Sequence, residues 1–279
     1  MSMDLGLLGA HLREHEVTPG WAADLERAGY GTLWLDASPP ADLALAERLL
    51  DATTRMVVGT SVVNAWTADA ETVAASYHRL EAKHPGRFLL GVGIGHREVH
   101  AEYASPYATL MSYVERLTRA GAPASRIVLA ALGPRMLRLA RDRTAGTLTG
   151  LINPEHTRRA RAVLGAGKLV LPGHFALPEP DADRARAIAR SAPPGTALGV
   201  TNYANNLRRL GYTEADLSGS GSDRLIDELV AYGTPDAVAK DLLAHLDAGA
   251  DQVGVYPLGN DPIGALLVVA DAVRAAWRG

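Results

Sequence analysis

Cysteine is absent from all 279 residues, which removes disulfides, thiol nucleophiles and thiolate metal sites together. Lysine occurs only at Lys83, Lys168 and Lys240, so arginine carries almost all of the positive charge. No long basic run concentrates it, and the formal net charge is -3. An electrostatic footprint for nucleic acid or an anionic membrane is therefore missing. Met1 to Gly9 has no basic segment ahead of an apolar core, and no apolar run is long enough to span a bilayer. The expectation is a soluble, cytoplasmic protein with neither nucleic-acid nor membrane partners. Neither a G-x-S-x-G elbow nor a phosphate-binding P-loop is present. His96 and His100 have helical spacing, but Arg97 sits beside them and there is no obvious trio of carboxylates, so no metal is expected.

What the chain does have is apolar content: 47% of its residues are hydrophobic, enough for a large core. Short apolar runs alternate with helical periodicity. The strand-like runs are Met3–Ala10, Thr32–Asp36, Met56–Val63, Phe88–Gly93, Arg126–Leu132, Thr147–Gly150, Lys168–Leu177 and Gln252–Leu258. Most are apolar on both faces, as strands covered on both sides of a parallel sheet must be. Thr18-Pro19, Asn153-Pro154 and Thr234-Pro235 place a capping side chain ahead of a proline that opens a helix. Eight such units in one α/β domain predict a single (β/α)8 TIM barrel spanning 1–279. The stretch from about 178 to 233 is too long for one connection and reads as a helical insertion after the seventh strand, lying over the C-terminal mouth.

Barrels of this kind build their sites at the C-terminal ends of the strands. The polar residues that recur there are His11, Asp36, Ser61 with Asn64 and Trp66, His96 with Arg97, Gly133 with Arg135, Thr149, and Tyr256 with Asn260. Leu132-Gly133-Pro134-Arg135 ends a strand and opens a helix whose free N–H groups suit an anion, with Arg135 as an added cation. Gly91-Val92-Gly93-Ile94-Gly95-His96 clears side chains from the mouth, but its last glycine is misplaced for a dinucleotide fingerprint. His96 is the first candidate proton donor, with an ordinary pKa near neutrality, and Asp36 is the alternative if burial raises its pKa.

Several strings in order along the chain resemble the luciferase-like oxidoreductases. They are Gly29–Leu35 (GYGTLWL), Val57–Asn64 (VVGTSVVN), Pro85–Gly93 (PGRFLLGVG), Gly233–Val238 and Leu246–Asp251. Ala130–Leu137 (AALGPRML) and Asn205–Gly211 (NNLRRLG) are further similar to an actinobacterial subgroup that depends on coenzyme F420, a deazaflavin. The resemblance implies hydride transfer between F420 and a small organic molecule. Alternatives are an FMN-dependent monooxygenase, or a barrel that binds a cofactor without turnover. It also implies a non-proline cis peptide at Ser61-Val62 behind the cofactor ring. Asn64, Gly93, Gly95, Leu132, Gly133, Arg135, Thr149 and Gly150 would complete the cofactor site, with Arg135 on its phosphate or acidic tail. His11, Trp66, Asn202 and Tyr256 would form the substrate pocket. Some deazaflavin enzymes carry a histidine after the acidic residue of the second strand, whereas this chain reads Asp36-Ala37-Ser38. With no evident lysines for a sugar phosphate, glucose 6-phosphate is not the expected substrate. A homodimer stays open.

Overall fold

The computed structural model describes residues 3–95 and 105–278. Eight parallel strands form the barrel: β1 (Leu8–Arg13), β2 (Thr32–Asp36), β3 (Val57–Ser61), β4 (Phe88–Gly93), β5 (Ile127–Ala130), β6 (Gly146–Thr149), β7 (Leu169–Leu177) and β8 (Val253–Pro257). They pair in chain order, and β8 closes the ring on β1 through Leu8↔Val253 to Ala10↔Val255. The expected (β/α)8 barrel is present. β1 begins later than its apolar signal, because Leu5 and Leu7 pack in the core before the strand proper and the polar His11 and Arg13 belong to it.

Each strand is buried on both faces, as its composition requires. Trp34, Val57, Leu89, Val128, Leu148 and Leu171 fill the barrel interior. The Trp34 indole N–H donates to Gln252 Oε1 at 2.9 Å, and Gln252 Nε2 donates to Thr32 Oγ1 at 2.9 Å, so the buried polar groups at the N-terminal end are satisfied. Outside, the apolar faces of the surrounding helices bury against the strands in one large cluster. Thr18, Asn153 and Thr234 cap their helices by accepting N–H bonds from Trp21, His156 and Ala237. The capping reading of the sequence therefore holds at all three.

The insertion after β7 contains helices Ala182–Ser191, Thr201–Leu210 and Asp223–Leu229, with shorter turns between them. It has a core of its own, in which Leu198, Leu207, Leu225, Ile226 and Leu229 pack on Phe175, Leu177 and Leu258 at the barrel's C-terminal end. A short strand, Val230–Tyr232, adds itself beside β7 at Phe175–Leu177 within the stretch read as a helical insertion. Among the described residues no helix is long and apolar enough to cross a membrane.

Candidate active site

A cavity of about 600 Å3 opens at the C-terminal ends of the strands. Its wall draws on Ala37 and Ser38 after β2, Ser61 and Val62 after β3, Gly93 to Gly95 after β4, and Ala131 to Gly133 after β5. Thr149 at the end of β6, Gly150 after it, Tyr256 of β8, and Asn202, Tyr203, Asn205 and Arg209 of the insertion also contribute. The cavity is polar at two ends, and the two differ in charge.

The first end is built around a carboxyl group. The register Asp36↔Ser61 between β2 and β3 puts these residues side by side. His11 Nδ1 lies 2.9 Å from Asp36 Oδ1, with its side chain 2% exposed against 15% for Asp36. Burial pushes the Asp36 carboxyl above the ordinary carboxylate range, against the opposing pull of His11 and Ser61. The His11 ring stacks on Tyr256 with centroids 3.9 Å apart, and Tyr256 stacks on Phe175 at 4.9 Å. Glycines make room for these rings: a β-carbon at Gly254 would come within 2.3 Å of His11, and one at Gly173 within 2.2 Å of Tyr256. The Tyr256 hydroxyl is 3.5 Å from Ser61 Oγ, and burial holds its pKa well above the usual range. Burial likewise pushes Tyr203, with the Asp36 charge nearby, up to about 12. Both phenols are therefore neutral donors at working pH. Directly after Asp36, Ala37 and Ser38 both adopt left-handed φ of 64° and 60°, a conformation side chains rarely take and one that recurs in binding walls.

Between the ends lies an apolar shelf. The Ser61-Val62 peptide is cis, and the chain then resumes as Val63–Asn64 paired with Val92 and Gly93 of β4. Val62 rests on Gly93, where a β-carbon would be only 2.3 Å from the Val62 methyl.

The second end is cationic. The helix Pro134–Arg143 starts here with Gly133 as N-cap, no side-chain cap and no acidic residue in its first turn. Its terminal N–H groups and positive dipole end are uncompensated by its own side chains. Arg209 enters from the insertion helix Thr201–Leu210, and a β-carbon at Gly133 would be 3.5 Å from its guanidinium. Partial burial lowers the Arg209 pKa without threatening its charge. Elsewhere in the cavity wall, the Thr149 hydroxyl is buried with no hydrogen-bond partner. A buried polar group left unpaired costs about 1–3 kcal/mol, so this hydroxyl is available to a polar atom in the cavity. An elongated molecule with a flat apolar middle and an anionic end fits these features.

A model of the luciferase-like monooxygenase family matches residues 15–252. The chain belongs to that family.

No curated protein matches the sequence. Among solved structures, the family fold recurs at low identity. An F420-dependent secondary alcohol dehydrogenase in complex with an F420-acetone adduct has a TM-score of 0.73 at 15% identity, covering 96% of this chain and 99% of its own. The F420-dependent tetrahydromethanopterin reductase of Methanopyrus kandleri has a TM-score of 0.70 at 16% identity, covering 98% and 99%. The oxygenating constituent of 3,6-diketocamphane monooxygenase from Pseudomonas putida, in complex with FMN, has a TM-score of 0.67 at 13% identity, covering 98% of each chain.

Within this family member the cavity gathers Ser61, Val62, Gly93, Gly95, Leu132, Gly133, Thr149, Gly150, Asn202 and Tyr256 from the residues read out of the sequence. Asp36 and His11 form the layer beside and beneath Tyr256. Asn64 and Trp66 are outside the wall, where the Asn64 side chain accepts the Trp66 N–H at 3.0 Å and closes a turn. Arg135 is exposed and outside the wall too, its guanidinium 4.1 Å above the Tyr107 ring. His96 lies outside the described residues. Arg209 was not singled out from the sequence. The helix offers two adjacent arginines, and only the fold reveals that Arg208 pairs with Glu214 at 2.6 Å while Arg209 turns to the cavity.

Proposed function

We propose that this protein is an oxidoreductase that transfers a hydride between coenzyme F420 and a small organic substrate. One observation carries the choice of cofactor. The two strings similar to the deazaflavin-dependent subgroup, Ala130–Leu137 and Asn205–Gly211, are far apart in sequence. They meet at the anionic-ligand end of the cavity, Arg209 against Gly133. Two of the solved structures of like fold are F420-dependent by name, which supports the same class.

The residues present fit such a group. Thr149 Oγ1, the Arg209 guanidinium and the first-turn N–H groups after Pro134 would hold its phosphate. Val62 and Gly93 would back its ring system. Bound there, the deazaflavin supplies a two-electron hydride donor or acceptor. The remaining work falls to the chain. Asp36, whose carboxyl burial pushes above the ordinary range, would exchange a proton with the substrate. His11 fixes the orientation of that carboxyl from below. Tyr203 and Tyr256 present neutral hydroxyls to a substrate oxygen, and the insertion excludes water.

Titrating the purified protein with F420 and with FMN, following cofactor fluorescence, tests the reading. F420 is expected to bind more tightly. FMN binding of equal or greater strength overturns it in favour of an FMN-dependent monooxygenase, as in the Pseudomonas putida enzyme of like fold.

A further inference from the structure

We infer that the Tyr256 hydroxyl is the group from which a proton passes to the substrate, and that Asp36 supplies that proton through Ser61. The inference rests on the hydride-transfer reading and deepens it, by naming the atom that meets the substrate and the route behind it.

Asp36 lacks the contact that direct transfer needs. The described residues lining the cavity include Ser61 and Tyr256, but neither Asp36 nor His11. Neighbouring strands contribute one group each to the polar end: Tyr256 from β8, His11 from β1, Asp36 from β2 and Ser61 from β3. Parallel pairing of Asp36 with Ser61 sets their side chains on the same face of the sheet. A hydrogen bond from Ser61 is among the influences that hold the Asp36 carboxyl down against burial, and one with Ser61 acts in the same sense on Tyr256. Ser61 Oγ is 3.5 Å from the Tyr256 hydroxyl. Ser61 is therefore the partner that the two share. A serine hydroxyl donates one proton and accepts another, so it can pass a proton along without a net change in itself.

The end of this chain is held in place. The Tyr256 ring lies between His11, at 3.9 Å, and Phe175, at 4.9 Å, and its backbone belongs to a barrel strand. Tyr203 also faces the cavity, from the insertion helix, and feels the Asp36 charge through space. His11 favours the ionised carboxyl, and Glu16, beyond β1, opposes it. The proton balance is as follows. A hydride arriving at the substrate from the reduced deazaflavin leaves an electron pair on a substrate oxygen. That oxygen takes the proton of Tyr256 as the phenolic O–H bond breaks. Tyr256 in turn takes the proton of Ser61, and Ser61 takes that of Asp36. Both hydroxyls are restored and Asp36 is left as the carboxylate. With 15% of its side chain exposed, Asp36 regains a proton from water. In substrate oxidation each transfer runs backward.

The test is a carbon-13 NMR titration of the aspartate carboxyls in the cofactor-free protein, with Asp36→Asn assigning the Asp36 signal. Ser61→Ala is expected to raise the Asp36 midpoint by about one pH unit, the worth of a hydrogen bond lost to a carboxylate. Ser61→Thr, which keeps the hydroxyl, is expected to return it toward the wild-type value. Tyr256→Phe removes one oxygen and keeps the ring stack. It is expected to raise the midpoint by about 0.3 unit, because Ser61 loses the neighbour that polarises it, and to add nothing once Ser61 is alanine. An unmoved midpoint in Tyr256→Phe overturns the inference, as does an equal shift with and without Ser61. With reduced F420, and with acetone and cyclohexanone as probes, Asp36→Asn and Tyr256→Phe are each expected to lower turnover by about 10²-fold, and the double variant no further. Losses that multiply overturn the route through Tyr256. The NMR titration needs no cofactor, so failure of F420 to bind removes the cofactor reading while the coupling of Asp36 to Tyr256 is still measured.

Discussion

At the scale of single residues the site rests on two groups whose surroundings differ from those of ordinary surface side chains. Asp36 is a carboxyl beside Tyr256 at one end of the cavity, raised in pKa by burial and hydrogen-bonded to a histidine stacked on Tyr256. Asp36→Asn keeps the shape and one acceptor but cannot carry the proton. It is expected to leave F420 affinity within about twofold and to lower turnover by about 10²-fold or more. Unaltered turnover would take Asp36 out of the reaction. The raised pKa also sets a direction: reduction of substrate should slow as pH rises through it and the acid form is lost. Thr149 is the other group. Thr149→Val removes a hydroxyl that has no partner in the protein, so the melting temperature should hold or rise. Cofactor affinity should fall by about 1–2 kcal/mol, the worth of a hydrogen bond to an anion, and equal affinity would show that the hydroxyl meets no ligand. Both residues were legible in the sequence as polar positions at strand ends. Arg209 was not, because its role depends on an insertion helix folding back over β5. Arg135 was chosen for its place beside Pro134, yet adjacency in sequence did not bring its guanidinium into the cavity wall.

At the scale of elements, the strands could be read because burial on both faces leaves an unbroken apolar run, and Thr32–Asp36 and Phe88–Gly93 have the same limits in sequence and structure. The insertion was harder. Ser222–Tyr232 reads as one helix from its sequence, but Val230–Tyr232 finds an open edge of β7 beyond the end of β6 and pairs there. No local signal in the sequence announces that edge. The insertion is also not uniformly loose. Leu225 and Ile226 are fully buried in its own core, whereas Thr201–Leu210 presents Asn202, Tyr203, Asn205 and Arg209 to the cavity. Hydrogen exchange should reflect this division. Asp223–Leu229 is expected to be protected with or without cofactor, and Thr201–Leu210 to gain protection of about tenfold or more when F420 binds and pairs with Arg209. Equal exchange of Thr201–Leu210 in both states would mean that the helix does not respond to the cofactor, and would detach Arg209 from the phosphate.

At the scale of the whole molecule, acid stability is set by a buried chain that lies away from the cavity. Thr157 Oγ1 is 2.8 Å from His245 Nδ1, and His245 Nε2 is 3.1 Å from His174 Nδ1. The chain ties helix Pro154–Leu164 to helix Pro235–Asp247 and to β7, with His245 fully buried and His174 4% exposed. The bonds are satisfied with every ring neutral: His174 bonds the Ile152 carbonyl, His245 donates to His174, and Thr157 donates to His245. Burial lowers the His174 pKa from 6.5 to about 4 and holds His245 well below 6.5, the neighbouring His174 adding to the effect. The sign follows from proton counting. Below pH 6.5 the unfolded chain binds protons at these positions and the folded chain does not, so stability falls as pH falls. His174 alone accounts for about 3 kcal/mol between pH 6.5 and 4, and His245 acts in the same direction. Asp36 opposes the trend, because its raised pKa lets the folded state take up a proton first. Carboxylates held low, such as Asp216 at about 2, are lost only in a more acid window, from 3.8 downward. Urea unfolding of wild type at pH 7, 6, 5 and 4.5 should therefore show a loss that begins well above the carboxylate range. His174→Gln is expected to be less stable at pH 7, since a partner of His245 changes shape, but to lose less on acidification. An identical slope in wild type and variant over pH 6.5 to 4.5 would move the acid sensitivity to other groups.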